Sequence, residues 1–115
     1  MTADVIALCA RPPDPGVLLA ALGAAAPDLR IATEEPGALI RLFAEDGTAL
    51  VAIASPRFVP VAGEALRLLN VPGAPQPLWW VEARAPTAAG VAVARRFAAA
   101  LIAQTGGTTW ASRER

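Results

Sequence analysis

The chain has 115 residues, enough for one domain that buries roughly two thirds of its unfolded surface. Apolar residues make up 55% and charged residues 17%, which excludes a disordered chain. Ten basic residues, all arginine, balance ten acids, so no global field gathers nucleic acid, and no basic run exceeds Arg95-Arg96.

Asp4 to Ala10 is a near-continuous apolar run, the pattern of a central strand buried on both faces. Arg11-Pro12-Pro13 stops it, because proline cannot donate to a ladder. Asp14 is a good N-cap with Pro15 at the first helical position. Val17, Leu18, Leu19 and Leu22 supply the apolar face of a helix running to about Ala26, and Pro27 ends it.

Leu29 to Thr33 predicts a short strand, and Glu34-Glu35-Pro36-Gly37 is turn chemistry. Ala38 to Ala44 is the next strand, with Leu39 and Phe43 opposite Ile40 and Leu42. Asp46-Gly47 predicts a two-residue hairpin turn, after which Thr48 to Ala54 returns antiparallel. These three strands make a meander. Arg57 to Val61 can pair briefly at an edge, since Pro60 keeps it out of a sheet interior. Gly63 to Asn70 reads as a two-turn helix and Val71 to Pro77, with three prolines, as a stiff connector.

Leu78-Trp79-Trp80-Val81-Glu82-Ala83-Arg84 reads as a strand feeding the longest helix. Side chains alternate, so Trp79, Val81 and Ala83 point to one face as core, and Trp80, Glu82 and Arg84 to the other. Thr87 caps a helix whose stripe is Val91, Ala94, Phe97, Ala98, Leu101 and Ile102, with Arg95 turned to solvent. Gly106-Gly107 stops it, Thr108 to Trp110 adds a last strand, and Ala111 to Arg115 is a frayed tail. The order predicts one α+β domain over 1–115: a two-layer sandwich with a mainly antiparallel sheet and two main helices on one face.

The chemistry is notable for what it lacks. Without histidine and with one cysteine, no ordinary metal set exists, and Glu34-Glu35 and Glu45-Asp46 are turn acids; no metal or cofactor is expected. Nucleophilic catalysis has neither a histidine base nor a Schiff-base lysine, and Ser55 lies in no nucleophile elbow. A phosphate loop would need a lysine, and Gly106-Gly107 follows a helix instead of preceding one. Glu82 with Arg84, and Glu64 with Arg67, have the spacing of surface ion pairs. Cys9, inside an apolar run, is expected to be a buried inert thiol. No apolar run reaches the ~18 residues that span a membrane and no basic leader opens the chain, so a cytoplasmic protein is expected.

Trp80 is either covered as a second small core or exposed as an anchor, because Trp and Arg are enriched at interface hot spots. Phe58 and Trp110 could join its patch, with Glu82 and Arg84 beside it. The reading that follows is a non-enzymatic interaction or adaptor domain holding a protein partner or its own copy, through this face or a sheet edge. The alternatives are a small-ligand module with a pocket near Trp80, Arg84 and Phe58, and an enzyme working with acids and arginines alone.

Several motifs recur together: Asp4-Val5-Ile6-Ala7-Leu8 with Pro13-Asp14-Pro15, the hairpin around Asp46-Gly47, Val61 to Glu64 with Arg67-Leu68-Leu69, Trp79 to Arg84, and Gly106 to Trp110. The set resembles the N-terminal region of an uncharacterised actinobacterial family encoded beside type VII (ESX-like) secretion genes. The likeness covers almost the whole chain and implies a cytosolic accessory or adaptor role. It carries over no catalytic residue. Members of that family are generally longer, which implies a fragment or a stand-alone relative.

Overall fold

The computed structural model describes residues 3–34, 39–60 and 78–112. Seven strands form one open antiparallel sheet: β1 (Ala3–Cys9), β2 (Arg30–Glu34), β3 (Leu39–Phe43), β4 (Ala49–Ala54), β5 (Arg57–Val59), β6 (Leu78–Ala85) and β7 (Gly107–Ala111). Two helices complete the described residues, α1 (Pro15–Ala25) and α2 (Ala88–Thr105). The strand order is β2-β3-β4-β6-β1-β7, and β5 continues the line of β4 along β6. Every adjacent pair is antiparallel, so β6 and β7, which flank β1, run parallel to each other. Helix α2 links them as a split β-α-β unit.

The α+β architecture is as the apolar patterning predicts, including the β2-β3-β4 meander. Both helices contribute to the cluster on one face of the sheet, with Ala21, Leu22 and Phe97 packed among Val5, Ala7, Cys9, Val81 and Ala83. The other face carries a second cluster of Ile6, Leu8, Val59, Leu78 and Trp80, with Trp110 packed against it. Strand β1 is buried on both faces because it lies between β6 and β7 and has a cluster on each side.

Local chemistry sets the element ends. The Asp14 carboxylate accepts from the Val17 N–H at 2.9 Å and the Thr87 hydroxyl from the Gly90 N–H at 3.1 Å, so both expected N-caps are made. The Arg96 Nε donates to the Ala25 carbonyl at 3.0 Å, which satisfies the C-terminal end of α1 from α2. Gly90 is required by close approach: a Cβ there would lie 2.0 Å from the Leu50 carbonyl oxygen. Leu50 is the extra residue where the β3–β4 register shifts between Leu42 and Phe43, a bulge that turns this carbonyl toward α2.

Some boundaries differ from expectation, each for a local reason. The β3–β4 hairpin has a three-residue loop, Glu45-Asp46-Gly47, and not a two-residue one. Ala44 N–H donates to Thr48 O, Gly47 N–H to Ala44 O, and Gly47 takes φ 88°. The Asp46 carboxylate accepts from the Thr48 N–H, which favours this wider loop over the tight turn. The tail expected to fray from Ala111 is held further: Ala111 pairs with Val5, and the Ser112 N–H donates to the Asp4 carbonyl. Leu19, assigned to the apolar face of α1, is 58% exposed, because one residue's rotation takes it off the Leu18-Leu22-Ala25 line. The turn at 35–38, the helix over 63–70 with its Glu64–Arg67 pair, the connector over 71–77 and residues 113–115 lie outside the described residues.

Candidate interaction surface

The two faces of β6 divide the residues singled out in the sequence. Trp79, Val81 and Ala83 face the helices as expected, and Phe58 joins Trp79 there, since the two are register partners with ring centroids 5.1 Å apart. On the opposite face Trp80 sits across from Leu8 and Arg57, Glu82 from Ile6, and Arg84 from Asp4. Phe58 and Trp80 therefore belong to opposite surfaces and form no common patch.

Trp80 is 8% exposed, so the covered small core is the arrangement found. The Arg57 guanidinium lies 5.4 Å from its ring centroid, a cation–π contact that closes the ring further. Trp110, the register partner of Ile6, packs half-buried against the same cluster. Arg84 bonds across the strands and not along its own: its Nε donates to the Asp4 carboxylate at 2.9 Å. That hydrogen bond, with the charges of Asp4 and Glu82, raises the Arg84 pKa, on an exposed surface where such a pair contributes little. Glu82 lines a shallow 190 Å³ depression with Ala54, Ser55, Arg57 and Trp80. Cys9 is fully buried, and burial pushes its thiol pKa up, partly offset by the Thr105 hydroxyl.

The helix side carries the apolar surface. A groove of 320 Å³ lies between α1 and the meander, lined by Pro13, Pro15, Leu18, Leu19, Thr33, Ile40, Ile53, Ala54, Ser55 and Pro56. Thr33 and Ser55 bring its only side-chain hydroxyls, and no charged residue lines it. Among the described residues the large apolar side chains left exposed are Leu19, Ile31 and Phe58, at 58%, 46% and 51%. Each stands on the helix side: Leu19 on α1, Ile31 opposite the core residue Leu42, and Phe58 opposite Trp79. The sequence places Leu19 on the core-facing side of α1 and gives Ile31 no role in a site. Their signal is an unbroken apolar run on α1 and an isoleucine in the strand that ends the sheet.

Strand β2 borders this groove through Thr33 and is the sheet edge among the described residues. Its described side chains, Arg30, Ile31, Ala32 and Thr33, are all exposed. At the Arg30 end, Asp28, Glu45, Asp46 and Gly47 line a wide, open and charged basin. The Thr48 hydroxyl and N–H hold the Asp46 pKa below its ordinary value, so that acid stays ionised. Among the described residues no three His, Cys, Asp or Glu side chains come together as a metal set, and no helix is long and apolar enough to cross a membrane. The chain matches no family model, no curated protein and no solved structure.

Proposed function

We propose that this is a non-enzymatic interaction domain, a cytoplasmic adaptor that receives an extended polypeptide segment along β2 and the apolar groove beside it. One observation carries the reading: among the described residues an open strand edge and an uncharged groove lie side by side, with Leu19 and Ile31 exposed at their rim. An added strand satisfies the edge backbone, while alternate side chains enter the groove. Phe58 extends the apolar surface on the same side of the sheet. The resemblance to the family encoded beside type VII secretion genes supports an accessory role of this kind.

A displayed library of short extended peptides tests it on the full chain. The expected result is enrichment of sequences alternating apolar and polar residues, lost in Leu19→Asp. Absence both of enrichment and of self-association would overturn the reading.

The groove volume favours a second reading, a module for a small uncharged apolar ligand, because 320 Å³ falls at the low end of ligand-pocket sizes. A thermal-shift series with aliphatic and aryl compounds separates the two, since a tight ligand raises the melting temperature by mass action.

A further inference from the structure

We infer that the strand received by β2 belongs to a second copy of this chain, so that two sheets join edge to edge. The inference rests on the interaction-domain reading and names its partner. Among the described residues, strand β2 has the features of an edge left open. Its register with β3 runs without a shift from Arg30 to Glu34, and the strand holds no proline and no charge at its three central positions. Natural edges are usually blunted by a bulge, a proline or a mid-strand charge, and β2 has none of these.

The sequence of β2, Arg-Ile-Ala-Thr-Glu, is complementary to itself when run antiparallel. A two-fold axis through Ala32 sets position 30 against Glu34 of the partner subunit, and the reverse at the other end. An arginine thus meets a glutamate twice. In-register parallel pairing would set like charge against like charge at both ends. The Arg30 side chain is exposed and makes no hydrogen bond or ion pair among the described residues. The same axis sets Ile31 against Thr33 of the partner subunit. Ile31 and Thr33 both face the helix side, through their register with Leu42 and Ile40. Pairing therefore covers an isoleucine now 46% exposed and brings the two Leu19-bearing grooves to one seam. A foreign strand would have to reproduce this charge order, whereas a second copy already contains it.

Sedimentation equilibrium on the full chain over a wide concentration range tests the inference, with Arg30→Glu, Glu34→Arg and the double reversal, each checked for folding by circular dichroism. Wild type is expected to dimerise. Each single reversal places like charges at both ends and should weaken dimerisation about tenfold or more. The double reversal should restore it, and the two single variants mixed should associate with each other more tightly than with themselves. Ile31→Lys, at an exposed position, should also give a folded monomer. A wild type that stays monomeric, or a dimer indifferent to both charge reversals, overturns the inference. A monomer that still selects peptides lost in Leu19→Asp overturns it while the interaction-domain reading stands.

Discussion

Strands β1 and β2 are the two ends of one connection through α1, and they differ in nearly every physical respect. β1 has hydrogen-bonded neighbours on both edges, an apolar cluster on each face and only Asp4 short of full burial. β2 has one neighbour among the described residues, and its described side chains are exposed. Both contain isoleucine and alanine, so residue type alone does not separate them. Place in the sheet does, because burial needs a covering layer and a paired edge needs a neighbour. Stability therefore concentrates around β1 and β6, and β2 closes one end of the sheet with a single neighbour among the described residues.

Substitutions on the two strands' surroundings should reproduce that contrast, beginning with the largest. Phe97→Ala empties the helix side behind β1, and Trp80→Ala empties the cluster on its other face; each should cost about 3–5 kcal/mol in denaturant unfolding. Ile31→Ala on β2 should stay within about 0.5 kcal/mol of wild type in the monomer, as an exposed position does. If Trp80→Ala left stability unchanged, the second cluster would not be core and the contrast would reduce to one face.

A smaller loss is expected from Gly107→Ala, where β7 meets β1. A Cβ there would sit 1.9 Å from the Leu8 carbonyl oxygen, at φ 120°. Backbone must shift to accommodate it, at a cost of about 1–3 kcal/mol read from the same unfolding curves. The β2 edge has no such constraint, and its exposed alanine, Ala32→Ser, should be silent.

The smallest effect is a pH slope from Cys9. Burial raises its thiol pKa above the ordinary 9.0, so the folded state keeps the proton while the unfolded state loses it. Its contribution is fully present below the ordinary thiol pKa and is lost as pH rises through the folded value. Stability should therefore fall as pH rises above the ordinary value, and Cys9→Ala should flatten the fall. With no lysine, histidine or tyrosine, few other groups titrate there. A thiol reagent should react with Cys9 only as the protein unfolds, and fast native labelling would break the assignment of β1 as fully enclosed.

Much of the fold was legible because its signals are local. Asp14 and Thr87 cap helices through side-chain bonds three residues away, and such bonds need no tertiary context. The alternation in Trp79 to Arg84 sorted both faces of β6 correctly, since strand geometry alone sets it. The hairpin loop length was harder, because Asp46-Gly47 suits both a two- and a three-residue connection and the Thr48 N–H decides between them. The candidate surface was less legible. Phe58 was singled out, but it lies on the opposite side from Trp80, because β5 pairs with β6 in a register that no local signal specifies. The sequence pairs Arg84 with Glu82, whereas Asp4, 80 residues away in the chain, is its hydrogen-bond partner.

What the sequence by itself determined is the set of elements, their capped ends and which side chains of each strand share a face. These follow from backbone geometry and from contacts within a few residues. Only the tertiary structure decided that Trp80 is covered, that Leu19 and Ile31 are not, and that β2 ends the sheet of the described residues beside a groove. Coverage is a property of neighbours brought together over long sequence separations, and a linear pattern does not contain it.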